Sequence, residues 1–246
     1  MWTMSFEIFK VYFLPFILGM VPLTIWLLFF LFRDWKKPEP SKMILHAFLM
    51  GVLATVIVLL VQHFIAQFAQ INLPTIYSVI KNHDNFYAFL LVAVVEETIK
   101  FAVIYLTLRK NKCLDEAIDP MIYMIVAAIG FSAVENYFSI FRQLNTIIIP
   151  MQTLTARFLG ANLLHIICSG VIGFFWSMQI KSKKHYLLLI GFILSILFHT
   201  LFNTLIFTYG IFAVLILFIG IFAGASILLW LFDVIEDFHF NFKKTI

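Results

Sequence analysis

Ionisable and polar side chains interrupt the apolar stretches of this sequence at spacings that could support acid–base chemistry. They form four groups in chain order: Glu96-Glu97-x-x-Lys100, Gly130-Phe131-x-x-x-Glu135-Asn136, Arg157 with His165, and His199-x-x-x-Asn203. An ionisable group within an apolar span costs about 2.5–3.5 kcal/mol on insertion scales, so such groups are rare. They usually face the interior of a helix bundle and by default indicate a functional site.

The first group combines two neighbouring carboxyls with one amine. On a helix, Lys100 is four residues from Glu96 and three from Glu97, so either carboxyl can pair with it. Adjacent side chains diverge by about 100° around a helix, so the two carboxyls cannot be equivalent. We expect one to pair with Lys100 and the other to act as a general base that takes a proton from water. The spacing leaves open which of them is the base.

The later groups could complete a hydrolytic site. His199 and Asn203 are four residues apart and share one helix face, and His165 and Glu135 come from two other spans. Histidine and amide side chains can polarise a carbonyl and stabilise an oxyanion. The combination favours hydrolysis of an acyl or peptide bond inside the membrane.

The composition excludes a soluble protein. Of the 246 residues, 63% are hydrophobic and 12% are charged, whereas soluble domains carry about 25% charged residues. Cytosolic enzymes, disordered chains and secreted disulfide scaffolds are therefore excluded, and two Cys form no disulfide framework. We attribute the net charge of +4 to membrane topology and not to nucleic acid.

The apolar runs predict an all-α, polytopic transmembrane bundle of about seven spans, because each is close to the roughly 20 residues that cross a bilayer. The spans are Val11–Phe32, Met43–Phe68, Phe86–Leu108, Pro120–Phe141, Leu154–Ile180, Tyr186–Thr208 and Ile211–Phe232. Their only formal charges are Glu96, Glu97, Lys100, Glu135 and Arg157. We expect a single domain, 1–246, with a motif-bearing core at 86–208.

The loop charges predict the orientation. The segments after the first, third and fifth spans and the C-terminal tail carry twelve Lys and Arg, and the opposite segments carry three. The positive-inside rule then places the N-terminus outside and the C-terminus in the cytoplasm. The first apolar run lacks a basic leader and an obvious cleavage site, so we do not expect it to be a removable signal peptide.

In this orientation the unusual residues share one depth. At 1.5 Å per residue, Glu96, Glu135, His165 and His199 lie about 9–17 Å below the outer boundary. Four helices thus place carboxylates and imidazoles in one layer of the outer leaflet. Scattered structural residues would not be expected to share that layer.

The ordered motifs resemble those of the PrsW-type intramembrane proteases, within the superfamily of CAAX-processing and bacteriocin-processing proteases. Asp115-Glu116-x-x-Asp119 and the position of Arg157 upstream of His165 fit the pattern, which covers roughly Val95–Asn203. The resemblance implies a glutamic-type, metal-independent peptidase without a cofactor. It further implies a bacterial plasma membrane and extracytoplasmic cleavage of a membrane-anchored substrate such as an anti-sigma factor, with no nucleic-acid partner.

Carried over residue by residue, the resemblance makes Glu96 or Glu97 the base and its neighbour the partner of Lys100. The other catalytic positions it implies are Glu135, His165, His199 and Asn203, with Arg157 in a supporting ion pair. CAAX endopeptidases have His at the position of Glu135, which disfavours prenyl-protein processing here. Asp119-Pro120 also departs from the expected Asp-Gly.

The sequence also allows other interpretations. The charged residues could be buried ion pairs that only fix helix packing, and Asn136 fits a packing amide better than a catalyst. Two Glu and two His could bind Zn²⁺, although no H-E-x-x-H motif is present. Intramembrane Glu and His also occur in transporters and proton relays, and a receptor or scaffold is a further alternative. Cys168 is predicted to be a core residue, and Gly220-x-x-x-Gly224 indicates close packing within or between chains.

Overall fold

The computed structural model describes residues 13–35, 37–69, 86–141, 148–208 and 211–236. Within these ranges every regular element is a helix, which confirms the all-α class. The helices are α1 (Leu14–Arg33), α2 (Ser41–Ala69), α3 (Phe86–Leu108), α4 (Asp119–Phe141), α5 (Ile148–Leu159), α6 (Ala161–Ser182), α7 (Tyr186–Thr208) and α8 (Ile211–Glu236).

The helices form a membrane-type bundle. In the described ranges, six helical stretches are long and apolar enough to cross a bilayer: α1, α2, α4, α6 with the end of α5, α7 and α8. Helix α3 has 23 residues but carries three ionisable side chains near its centre. A multi-pass bundle of about the predicted size is therefore confirmed. The orientation of its termini stays a prediction from the loop charges.

The fifth predicted span, Leu154–Ile180, lies within one apolar stretch long enough to cross a bilayer, Met151–Ser182, but its helix is interrupted between α5 and α6. The chain breaks at Gly160, where φ is −107° and ψ is −101°. A Cβ there would lie 2.6 Å from the carbonyl oxygen of Ala156, so only glycine fits. The indole of Trp26 on α1 donates to the Phe158 carbonyl at 3.1 Å and satisfies an oxygen freed at the end of α5.

Two glycines bring α2 and α4 into backbone contact. A Cβ on Gly51 would lie 1.9 Å from the Ala127 carbonyl oxygen, and one on Gly130 would lie 2.1 Å from that of Phe48. Small residues allow this close approach between membrane helices. Helix α4 is the centre of the bundle, and most of its side chains are buried. The crossing fixes α2 against the helix that carries Glu135.

The glycine pair of α8 packs within the chain. A Cβ on Gly224 would lie 3.2 Å from the Phe198 ring of α7 and 3.3 Å from Ile167 of α6. At Gly220 the nearest atom, also on Phe198, is 4.0 Å away. The small-residue face therefore has a partner inside the bundle.

Candidate active site

Helix α3 contributes a buried ion pair at the centre of the candidate site. Lys100 Nζ donates to Glu97 Oε1 at 2.6 Å, and both side chains are fully buried. The same oxygen lies 2.8 Å from Nδ1 of His199 on α7. The ammonium also lies 5.0 Å from the centre of the Phe131 ring on α4. The pair that forms is therefore the i,i+3 pair, with Glu97.

Glu96 faces different partners. Its Oε1 accepts a hydrogen bond at 3.3 Å from Gln62 Nε2 on α2, and its Oε2 lies 3.7 Å from His199 Nε2. No Lys or Arg of the described segments forms an ion pair with this buried carboxyl. Glu96 is thus the member of the Glu96-Glu97 pair whose charge has no permanent cation beside it.

A second ion pair joins α4 to α5. Arg157 Nη2 donates to Glu135 Oε2 at 2.7 Å, and its Nε donates to the Asn136 side-chain oxygen. The Asn136 amide in turn donates to the Gly19 carbonyl of α1 at 3.0 Å. Asn136 therefore tethers three helices, in agreement with its predicted packing role.

His165 connects the two ion pairs. Its Nδ1 lies 3.2 Å from Lys100 Nζ and its Nε2 lies 3.1 Å from Glu135 Oε2. Because an ammonium can only donate, Nδ1 accepts and the proton is on Nε2, pointing to the carboxylate. The His165 and His199 rings are 5.1 Å apart. Side chains of α3, α4, α5, α6 and α7 thus meet in one hydrogen-bonded network.

The charges of this network do not cancel. Three carboxyl groups face two permanent cations, and each cation pairs with one carboxyl, Glu97 or Glu135. The remaining carboxyl is Glu96, whose side chain is 9% exposed. A buried carboxyl without a cation is the group in the network best suited to exchange a proton.

The structure brings together most of the residues that the sequence singled out. Glu96, Glu97, Lys100, Glu135, Arg157, His165 and His199 all belong to the network. Asn203 lies one turn beyond His199 on α7, is partly buried, and has no hydrogen bond within the described part of the chain. Its role in stabilising an oxyanion stays a prediction.

Two amides near the network were not singled out from the sequence. Gln62, 2% exposed, binds Glu96 from α2, a helix without a motif. Asn162 is fully buried in the first turn of α6, and neither atom of its amide has a partner in the described segments. It is three residues before His165 and therefore on the same helix face. The available signal was an amide side chain within an apolar run, Gln62 in the second span and Asn162 in the fifth.

Further polar atoms surround the network. Ser132 Oγ and Ser169 Oγ are buried without partners in the described ranges, as is Glu97 Oε2. Ser132 is one turn from Glu135, and Ser169 is one turn from His165. Buried polar atoms normally have partners, and water serves where protein groups do not. The site is thus a buried polar cluster with unpaired atoms suited to bind water, which is a reactant in hydrolysis.

Carboxylate and imidazole side chains of the network could also serve as metal ligands. One ligand atom each from Glu96, His165 and His199 lie within 4.8 Å of one another, and two imidazoles with one carboxylate form a known catalytic zinc set. His199 fits well, because Glu97 holds its Nδ1 and leaves Nε2 available. His165 would have to release Lys100 or Glu135 before it could bind an ion.

A second possible ligand group, Glu97, Cys168 and His199, includes the buried cysteine. The Cys168 thiol donates to the Ser195 carbonyl at 3.4 Å, and the Ser195 hydroxyl donates back to the Cys168 carbonyl at 2.8 Å. These reciprocal bonds join α6 to α7, as expected for a core residue.

The Asp115-Glu116-x-x-Asp119 motif lies at the opposite end of α4 from Glu135. Asp119 Oδ2 accepts the backbone N–H groups of Asp115 at 2.7 Å and of Glu116 at 2.6 Å. These bonds close the turn that precedes α4. In this structure the motif positions a helix and lies outside the catalytic network.

Acidic groups of the α1–α2 connection lie beside that turn. Tyr123 donates its hydroxyl to Glu39, whose pKa is raised chiefly by burial. Burial and the nearby Glu39 raise the pKa of Asp34 to about 7, from an ordinary value of 3.8. Asp34 Oδ2 is buried without a partner in the described segments. This end of the bundle is therefore sensitive to protonation near neutral pH.

Comparisons with known proteins place the chain in a protease family. A family model described as "PrsW family intramembrane metalloprotease" matches residues 39–230. A protein named Protease PrsW from Geobacillus kaustophilus (strain HTA426) is 26% identical over 172 residues, which is 69% of each chain. Another of that name from Clostridioides difficile (strain 630) is 24% identical over 237 residues, 93% of each chain. No solved structure matches the chain.

Proposed function

The chain belongs to the PrsW family of intramembrane proteases, and from that premise we propose that Glu96 activates the water that hydrolyses a peptide bond of a membrane-anchored protein. The activity of a peptidase follows from the family. The observation that carries the proposal is the distribution of charge: Glu97 and Glu135 are bound by Lys100 and Arg157, and Glu96 is not.

In the proposed reaction, Glu96 and His199 hold the attacking water together. Glu97 accepts the Nδ1 proton of His199, which leaves Nε2 as an acceptor 3.7 Å from Glu96 Oε2. Glu96 takes one proton as the water oxygen bonds to the scissile carbonyl carbon. It then delivers that proton to the departing amine nitrogen as the C–N bond breaks.

The tetrahedral intermediate carries an oxyanion that needs donors. Asn203 was predicted for this role, and the Asn162 amide, which has no partner among the described residues, lies on the helix face that carries His165. We assign Asn162 as a second donor. Preorganised donors of this kind account for a large part of catalysis in acyl transfer.

A metal-dependent peptidase is the second candidate, favoured by the family description and by the donor set of Glu96, His165 and His199. Those three residues would hold the ion, which would polarise the carbonyl and activate water as a Lewis acid. We favour the metal-independent reaction because both nitrogens of His165 already have partners in the network.

We further propose that cleavage occurs near the extracytoplasmic face of a bacterial plasma membrane, on a substrate such as a single-pass anti-sigma factor. Glu135 is six residues from the end of α4 and His165 is four from the start of α6. Both are remote from the basic turns at 109–112 and 181–184, which the positive-inside rule assigns to the cytoplasm.

The test is cleavage of a co-expressed or reconstituted single-pass substrate. We expect Glu96→Gln to abolish cleavage at unchanged protein levels, and the wild type to remain active after exhaustive chelation. Stoichiometric metal together with loss of activity on chelation would establish the second candidate. Full activity of Glu96→Gln would refute the proposal, and ion flux that is lost in Glu135→Gln would favour a proton relay.

A further inference from the structure

A cavity of about 600 Å³ lies where α3 ends and where α6 turns into α7. Its lining includes Tyr105, Arg109, Lys110, Trp176, Lys183 and His185. Along α3 the lining residue nearest to the catalytic network is Tyr105, five residues or about 7.5 Å beyond Lys100. No residue of the network lines the cavity.

The charge of this cavity has one sign. Arg109, Lys110 and Lys183 line it, and no Asp or Glu does. None of the three forms an ion pair within the described part of the chain. Cations that do form such pairs there are Arg33, Lys37, Lys100 and Arg157. Three uncompensated cations around one concave surface attract an anion.

Aromatic side chains form the wall below these cations. The Arg109 guanidinium carbon lies 5.0 Å from the Tyr105 ring centre, and its Nη1 donates to the Tyr105 hydroxyl at 3.4 Å. The Tyr105 and Trp176 rings are 5.7 Å apart, and Trp176 is buried. Tyr and Trp are typical of the level where a bilayer meets water. Tyr105 holds the guanidinium in place and leaves further N–H groups available.

Lys183 occupies an unusual backbone position. Its φ of 59° and ψ of 20° are left-handed, and no other non-glycine residue of the described segments has a positive φ. Its N–H donates to the Gln179 carbonyl at 2.8 Å and ends α6. Glycine is the usual residue in this helix-ending position. Here a lysine adopts it, which places an ammonium at the cavity.

We propose that this cavity binds the phosphate of an anionic phospholipid headgroup. Basic pockets between the ends of membrane helices provide the charge and the depth that such a headgroup needs. Arginine can bind two phosphate oxygens at once, and the lysines add point charges. Tyr105 and Trp176 precede the basic residues along α3 and α6, and the glycerol and the first acyl carbons would pack beside this aromatic wall.

The left-handed turn allows a test that separates binding from folding. The purified full chain is titrated in detergent with phosphatidylglycerol or phosphatidylcholine, and bound lipid is counted by native mass spectrometry. Lys183→Gly removes the charge while supplying the residue that the backbone prefers. Lys184→Gly makes the same substitution at the neighbouring residue, which does not line the cavity.

We expect phosphatidylglycerol to bind the wild type more tightly than phosphatidylcholine. Lys183→Gly should weaken the binding of phosphatidylglycerol about fivefold, which is the contribution of one cation at an anionic membrane surface. Lys184→Gly should leave the binding of phosphatidylglycerol unchanged. Inorganic phosphate, titrated separately, should bind less tightly than the lipid. Equal binding of the two lipids, equal losses in the two variants, or phosphate binding as tightly as phosphatidylglycerol would overturn the proposal.

Discussion

Replacing Glu96 and Glu97 one at a time by their isosteric amide should give opposite results, although the two are neighbours. Glu96→Gln removes a charge whose partners are Gln62 at 3.3 Å and His199 at 3.7 Å. Losing one long hydrogen bond should change the free energy of unfolding by at most about 1 kcal/mol. Losing the general base should reduce turnover about 10²–10⁴-fold.

Glu97→Gln should instead destabilise the bundle. It leaves the Lys100 ammonium, fully buried and 2.6 Å from the lost carboxylate, without a counter-charge. Breaking one side of a buried ion pair costs about 3–5 kcal/mol. Adding Lys100→Met to Glu97→Gln removes the stranded charge, so the double variant should regain most of that stability without regaining activity.

Both quantities can be measured on the same purified protein. Unfolding in a denaturing detergent, followed by circular dichroism, gives the stability difference, and cleavage of a single-pass substrate gives turnover. A stable, inactive Glu97→Gln beside a destabilised, active Glu96→Gln would reverse the assignment of base and ion-pair partner. A double variant no more stable than Glu97→Gln would refute the stranded-charge argument.

Three other substitutions test separate parts of the structure. Gly51→Ala should force α2 and α4 apart and reduce both stability and cleavage, because its Cβ would lie 1.9 Å from the Ala127 carbonyl oxygen. Gly220→Ala is the matched control, because the nearest atom to its Cβ is 4.0 Å away. In thermal denaturation this control should be neutral or slightly stabilising. The raised pKa of Asp34 means that the unfolded chain loses its proton near pH 4 while the folded chain keeps it until about pH 7. Stability should therefore fall as the pH rises through that window, and Asp34→Asn should flatten the fall and stabilise the protein at pH 8; an unchanged pH profile would contradict this. Asn162→Ala should lower kcat about 10²–10³-fold, because it removes a donor to the oxyanion. Stability and KM should change little, because the Asn162 amide has no partner in the described segments. An unaltered kcat would show that Asn162 has no part in the mechanism.

Hydropathy and the cost of buried charge were sufficient to predict the bundle and most of the network. A carboxyl or imidazole in an apolar span is conspicuous, so Glu96, Glu135, His165 and His199 could be found without a structure. The partner of Lys100 could not, because i,i+3 and i,i+4 pairs are both allowed on a helix. Only the packing of α2 and α7 against α3 decides between them.

The features that were missed have weak local signals. The break at Gly160 lies within an apolar run, where one glycine changes the hydropathy little, and the carbonyl contact that requires it is a property of the folded backbone. Gln62 and Asn162 are amides outside any motif, and their proximity to the network depends on how helices far apart in sequence pack together.

The α2–α4 crossing also limits how this sequence can change over evolutionary time. At Gly51 and Gly130 the space for a side chain is occupied by the main chain of the other helix, and no substitution in that helix can remove a carbonyl oxygen. A compensating second mutation, the usual route by which packed positions drift, is therefore closed at both sites. We expect relatives that keep this crossing to keep glycine there, while the lipid-facing positions of the same helices exchange freely among apolar residues.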